Sequence, residues 1–187
     1  MSKIANRIIS IPEKVIINLE EQLIYAEGPL GKSEILTIPD NIEIINQNNK
    51  LITKSTNLAL AGTYNALISN LVKGVTEGYQ ETLEVKGAGY KVMLKNDKLE
   101  FELGKSYKVN GTAKSVQDIM SIPTILKVAV ERDRKILIKG TDKQKVRQFA
   151  TDIQRLRKPS IYRKSDGIYF LGEEETIKLR AKKAANK

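Results

Sequence analysis

The sequence of 187 residues contains no cysteine, no histidine and no tryptophan. The absence of cysteine excludes disulfide bonds and thiolate zinc sites. The absence of histidine removes the side chain that proteins most often use for acid–base catalysis near neutral pH and for metal ligation. Serine and threonine are present, but no histidine is available to activate them as nucleophiles. We therefore predict that the chain is not an enzyme and has no catalytic residues, metal site or cofactor.

Long hydrophobic runs are also missing. No window approaches the roughly 18 apolar residues of a membrane span. The first residues lack the apolar stretch of roughly 7–15 residues that a secretory signal requires. The apolar fraction of 41% and the charged fraction of 29% are typical of a folded protein. We expect a soluble cytoplasmic chain whose partners include no membrane and no small-molecule substrate.

What the sequence does contain is one pattern used twice. Residues 50–73, when shifted by 85 positions, lie over residues 135–158. The shift pairs Thr56 with Thr141, Tyr64 with Phe149, Ile68 with Ile153, Leu71 with Leu156, and Lys73 with Lys158. In both copies an apolar run typical of a strand turns at a threonine and enters an amphipathic helix. This pattern indicates one supersecondary unit repeated in tandem, in two modules of roughly 80 residues each.

Several local features follow from residue type and period. The first helix is predicted to begin near Asn57 and to end at Gly74, because glycine tolerates the left-handed conformation of a helix end. Gly87-Ala88-Gly89 predicts a strand bulge, and a phosphate-cradling loop is the alternative. Residues 111–123 show no period and predict a long loop. The second helix is predicted to stop at Pro159 and to bury a stripe of Val146, Phe149, Ala150, Ile153 and Leu156.

The net positive charge is confined to the second copy. Residues 1–78 carry 7 Lys+Arg and 8 Asp+Glu, a net of −1, whereas residues 79–187 carry 25 and 14, a net of +11. The densest stretch, 132–164, holds twelve cations and three aspartates. Aromatic residues follow among the cations, as recognition of irregular or single-stranded RNA requires. The pattern favours a surface that binds a phosphate backbone, and an ordinary solvated basic helix is the alternative.

Four stretches together resemble the bacterial-type large-subunit ribosomal protein six family (the universal L-six family). They are Ala61-Gly62-Thr63, Asn70-Leu71-Val72-Lys73-Gly74-Val75-Thr76-Glu77-Gly78-Tyr79, Val85-Lys86-Gly87-Ala88-Gly89-Tyr90-Lys91 and Lys139-Gly140-Thr141-Asp142-Lys143-Gln144. The resemblance covers nearly the whole chain, and its specificity lies in the order and spacing of these stretches. The chain departs from the family at Asn65, usually an arginine, at Tyr107-Lys108, usually His-Pro, and over residues 161–170, usually a Pro-Tyr-Lys-Gly-Lys-Gly-Ile-Arg-Tyr signature.

The resemblance implies an α+β fold of two tandem repeats, each a small antiparallel β-sheet packed on one α-helix, with a basic C-terminal extension. The expected boundaries are 1–78 for the N-terminal repeat, 79–175 for the basic, RNA-binding repeat, and 176–187 for the tail. The implied function is that of a structural constituent of the large ribosomal subunit, near the stalk base and the translation-factor-binding region. A free-standing RNA-binding regulator or a ribosome assembly factor is the alternative.

The implied partners are large-subunit (23S-type) rRNA and neighbouring large-subunit proteins, in a cytoplasmic or bacterial-type organellar ribosome. We predict that the rRNA is bound by Lys86, Lys91, Lys143, Arg147, Arg155, Arg157, Lys158, Tyr162, Arg163 and Lys164. The cations are expected to contact phosphates without sequence preference. Tyr162 is expected to stack on a base, and packing against the end of the second helix is the alternative for this residue.

Overall fold

The computed structural model describes residues 8–20, 22–47, 49–109, 112–160 and 166–173. These residues form fourteen β-strands and two α-helices. The chain divides into two compact units, Met1–Tyr79 with Gly140–Lys143, and Gln80–Lys139 with Gln144–Lys187. Neither described helix is long and apolar enough to cross a membrane.

The first unit contains seven strands and the first helix. They are β1 Ile9–Ser10, β2 Ile16–Glu20, β3 Leu23–Gly28, β4 Gly31–Lys32, β5 Leu36–Thr37, β6 Ile42–Gln47, β7 Lys50–Ser55 and α1 Leu58–Thr76. One antiparallel sheet has the strand order β1-β7-β6, and a second has the order β2-β3-β4 with β5 also paired to β3. Apolar side chains from both sheets and from α1 pack in one core, which includes Ile24, Leu51 and Ile68.

Helix α1 begins with a side-chain cap at Asn57. The Ala59 backbone N–H donates a 3.0 Å hydrogen bond to the Asn57 side-chain oxygen, while Asn57 itself is extended. This bond satisfies one of the helix's first N–H groups, which have no acceptor within the helix.

Replacing Asn57 by Ala is expected to lower the free energy of unfolding by about 1 kcal/mol, because the capped N–H loses its acceptor. Urea unfolding followed by circular dichroism measures the change. Asn57→Asp is the control, because it keeps a capping oxygen and should remain within a few tenths of a kcal/mol of the wild type. Equal losses in the two variants would contradict a role for the cap.

Gly74 does not end α1, and this prediction is wrong. The helix continues to Thr76, and the left-handed conformation occurs at Gly78, with φ of +76°. Gly74 is buried inside the helix, where an added Cβ would overlap the carbonyl oxygen of Thr141. The glycine is thus explained by the close approach of another backbone, not by the turn that follows the helix.

The second half of the chain contributes seven strands and the second helix. They are β8 Tyr79–Lys86, β9 Lys91–Lys95, β10 Lys98–Val109, β11 Thr112–Ser121, β12 Lys127–Glu131, β13 Lys135–Gly140, α2 Lys143–Leu156 and β14 Gly167–Phe170. The sheet orders are β12-β13-β8-β14 and β11-β10-β9. The long loop predicted for 111–123 is wrong, because 112–121 form β11, paired antiparallel with β10. Backbone pairing places this polar segment in a sheet although its polar and apolar residues do not alternate along the chain.

The tandem repeat predicted from the sequence recurs in the structure as two strands followed by a helix. Strands β6 and β7 and helix α1 begin at residues 42, 50 and 58, and β12, β13 and α2 begin at 127, 135 and 143, each 85 residues later. Equivalent positions are buried in both copies, as in Leu51 with Ile136 and Ile68 with Ile153. The predicted α+β class is confirmed, while the C-terminal extension lies outside the described residues.

Candidate nucleic-acid interface

Helix α2 separates an apolar stripe from a cationic face. Val146, Phe149, Ala150 and Ile153 are buried as predicted, and Leu156 is half-buried. The cations Lys143, Arg147 and Arg155 are exposed on the same helix. Spacings of three and four residues align the apolar side chains on one face, so the charged ones remain at the surface.

Arg147 is held by two neighbours from different strands. Its guanidinium lies 3.0 Å from the Glu81 carboxylate and 3.9 Å from the centroid of the Phe170 ring. A cation stacked on an aromatic ring gains electrostatic attraction, and a planar guanidinium also stacks well. The side chain remains 54% exposed, so it has a fixed direction and a free outer surface.

Three predicted cations lie near the C-terminal end of α2. Arg155 pairs with Asp152 at 3.1 Å, one turn earlier on the helix. The Arg157 guanidinium lies 5.9 Å from the centroid of the Tyr90 ring. Lys158 is exposed and has no ion pair among the described residues. Exposed ion pairs contribute only about 0–1 kcal/mol, so a phosphate can replace their carboxylates at little expense.

The segment after α2 is tied to the strand β14. The Ile168 N–H donates to the Arg157 carbonyl and the Ser160 N–H donates to the Asp166 carbonyl, both at 2.9 Å. Gly167 allows this approach, because a Cβ there would lie 2.7 Å from the Pro159 Cα. Three predicted RNA-binding residues occur in sequence between these tied ends but lie outside the described residues: Tyr162, Arg163 and Lys164.

The glycines at 87–89 belong to a turn, so the predicted strand bulge is wrong. This turn connects β8 to β9, which lie in different sheets. The buried Tyr90 ring explains Gly87 and Gly104, since a Cβ at Gly87 would overlap the ring and a Cβ at Gly104 would lie 2.8 Å from it. Lys91 follows directly and is exposed.

Lys86, at the end of β8, is part of a charged cluster. Its ammonium lies 3.3 Å from the Glu84 carboxylate, and the Lys135 ammonium lies 3.2 Å from the other oxygen of the same group. Partial burial acts to raise the pKa of Glu84, but hydrogen bonds from Lys135 and Lys86 and their charges outweigh it and lower the pKa. Lys86 also lies 5.9 Å from the centroid of the Tyr169 ring.

The cluster lines a cleft of about 710 Å³. Its walls are formed by Glu84, Val85, Lys86, Gly87, Ala88, Arg134, Lys135 and Asp166. These residues come from the end of β8, the turn after it, the start of β13 and the start of β14, and β13, β8 and β14 are adjacent in one sheet. Three cations and two carboxylates therefore meet in one depression.

Comparison with models of known protein families gives no match. Among curated proteins, the large ribosomal subunit protein uL6 of Aquifex pyrophilus is 38% identical over 195 residues, which cover 97% of this chain and 98% of the relative. The protein of the same name from Mycoplasmoides gallisepticum is 37% identical over 180 residues, 93% of each chain. The chain belongs to the uL6 family. The uL6m protein of Reclinomonas americana is also similar, with 37% identity over 98% of this chain and 100% of its own length.

One departure from the uL6 pattern falls in the interior of the first unit. Asn65, where the family usually has arginine, is buried on α1 with only 2% of its surface exposed. The substitution therefore alters the interior of the first unit. Lys143, at the start of α2, is grouped with that first unit, and its ammonium lies 6.0 Å from the centroid of the Tyr79 ring.

Two features of this uL6 site were missed by sequence reasoning. The acidic partners of the cations were underestimated, because Glu81 and Glu84 lie on β8, far in sequence from the cations Arg147 and Lys135 that they bind. Arg134 was also left out of the predicted site, although it lies in the dense basic stretch. Across the part of the chain that the structure describes, no group of three acidic side chains is arranged to hold a metal ion.

Proposed function

We propose that this chain is a structural, non-enzymatic constituent of the large ribosomal subunit that binds 23S-type rRNA chiefly through residues after Tyr79. The relatives at 37–38% identity are named as large ribosomal subunit proteins, which supports the proposal that this chain is part of the large subunit. The observation that carries the rRNA assignment is the net charge of +11 after residue 78 against −1 before it. Phosphate neutralisation by such cations releases counterions and drives association.

The arrangement of the cations supports phosphate contact. Arg147, Arg155 and Arg157 are exposed, and each is directed by an aromatic ring or a carboxylate. Directed side chains lose less conformational entropy when they bind, which favours a rigid RNA surface. Lys91 and Lys158 add exposed ammonium groups with long flexible stems.

The family resemblance further favours a position near the stalk base and the translation-factor-binding region. There the chain contacts neighbouring large-subunit proteins as well as rRNA, in a cytoplasmic ribosome. The near-neutral first unit is the part best suited to face solvent or those proteins, because it lacks the cations that a phosphate surface requires.

A pair of lysines at equivalent positions tests the assignment of the second unit. Lys158 and Lys73 are both exposed and are separated by the repeat spacing of 85 residues. Lys158→Ala in the full chain is expected to reduce the salt slope of binding to an in vitro transcript of large-subunit rRNA by about one unit. Lys73→Ala is the matched control and should leave the slope unchanged. Filter-binding titrations at several salt concentrations measure both.

Equal slopes for the two variants would remove Lys158 from the phosphate surface. Retention on large subunits distinguishes a structural component from a regulator, because a free-standing regulator held by exposed charges alone is stripped at high salt. The full-length chain is expected to stay with large subunits that sediment through a high-salt wash. Its complete recovery in the supernatant would reject the structural assignment.

A further inference from the structure

The cleft beside Glu84 differs from the rest of the cationic surface in its chemistry. Lys86, Arg134 and Lys135 are suited to a phosphate. A site for phosphate alone has no use for carboxylates, since like charges in a partly buried cleft repel. Glu84 and Asp166 nevertheless line the same cleft. An occupant that offers a negative group and hydrogen-bond donors together therefore fits this lining best.

A nucleotide of RNA has both properties. Its phosphate is anionic, and the edges of guanine, adenine and cytosine carry amino groups that donate hydrogen bonds. Proteins that read RNA take unstacked bases from loops and bulges into pockets and bind these edges. A volume of about 710 Å³ lies within the range of roughly 300–1,000 Å³ found for small-molecule sites.

Glu84 retains accepting capacity in its present contacts. Each carboxylate oxygen receives one lysine, Lys86 on one and Lys135 on the other. An ionised carboxylate offers about four lone-pair positions, so further donors can be accepted. The same lysines lower the pKa of Glu84 and keep the group ionised at neutral pH.

We propose that this cleft binds one unstacked rRNA nucleotide, with the base edge donating to Glu84 and the phosphate beside Lys86, Arg134 and Lys135. The proposal rests on the proposed rRNA binding and deepens it, since it adds a base-selective contact to an interface otherwise made of phosphate contacts. Uracil lacks an exocyclic amino group and can donate to the carboxylate only through its N3–H.

The test uses Glu84→Gln in the full chain, which keeps the size of the side chain but removes its charge. Glu100→Gln is the matched control, because Glu100 also pairs with a lysine, Lys95 at 2.7 Å, at nearly the same exposure, 19% against 21%. The wild type and the two variants are each bound to an in vitro transcript of large-subunit rRNA. Base-specific chemical probes report the base edges, and hydroxyl radicals report the backbone.

The wild type and Glu100→Gln are expected to protect the edge of one base inside the backbone footprint. Glu84→Gln keeps one accepting oxygen but loses the charge, so it should weaken that base protection, keep the backbone footprint and bind about tenfold more weakly, as expected for damage to one specific base contact. Ala88→Leu provides a second variant, since it fills the cleft at an exposed turn position and leaves the charges in place. It should lose the same protection.

Base protection that survives both variants would overturn the proposal. A backbone footprint without any protected base in the wild type would also overturn it, while the proposed function would stand. The absence of any footprint would reject the proposed function, and the nucleotide site with it.

Discussion

Replacing Phe149 by Ala is expected to lower the free energy of unfolding of the second unit by about 3–5 kcal/mol. Phe149 lies on the buried stripe of α2, with 7% of its surface exposed, next to the fully buried Ala150. Removing the ring loses the free energy gained by burying its apolar surface on folding. It also leaves a cavity that the surrounding side chains fill only in part. A loss of this size is a large fraction of the stability of a typical domain.

Urea unfolding followed by circular dichroism measures this loss. Gln148→Ala is the matched control, because Gln148 is the preceding residue on the same helix and is exposed. Its effect should remain within about 0.5 kcal/mol. A Phe149→Ala variant as stable as the control would show that the ring contributes nothing to the interior.

The second large effect is expected for Gly74→Ala, which should destabilise the first unit by about 2 kcal/mol or more. Alanine stabilises a helix interior by about 1 kcal/mol relative to glycine. Here, however, the added Cβ would overlap the Thr141 carbonyl oxygen and lie 3.1 Å from its carbonyl carbon. Because the obstacle is backbone, it cannot rotate away, and the cost should lie at or above the upper end of the roughly 1–3 kcal/mol that overpacking typically costs.

Thermal unfolding of Gly74→Ala against Lys73→Ala tests this expectation. Lys73 is the adjacent residue and is exposed, so its truncation should change the stability only by a few tenths of a kcal/mol. A Gly74→Ala variant more stable than the wild type would mean that helix propensity dominates and that Thr141 moves without strain.

Periodicity predicts much of this fold. The spacing of Val146, Phe149 and Ile153 places them on one face of a helix whatever packs against it, and all three are buried. The repeat of 85 residues likewise recurs in the starts of the strands and helices. These features depend on local order along the chain, which the sequence contains directly.

Features that depend on distant contacts were not predictable in this way. A glycine near a helix end has the same local pattern whether it starts a turn or permits close packing, and only Thr141 distinguishes the two at Gly74. The pairing of Glu81 with Arg147 joins residues 66 positions apart, so charge counting along the chain treats both as free. The ten predicted RNA-binding residues stay predictions, because contacts with RNA also join groups that the sequence does not place together.

The strand order β12-β13-β8-β14 has a consequence for synthesis on the ribosome. Strand β8 is paired on both sides, yet both of its partners are translated after it, and β14 ends at Phe170, 84 residues beyond Lys86. Strand β13 ends at Gly140, 54 residues beyond Lys86, so at roughly 5–20 residues per second β8 waits about 3–11 s for β13 and about 4–17 s for β14. Open edges invite pairing with other chains. Until β14 has been translated, the nascent second unit therefore exposes a strand edge at which it is prone to aggregation.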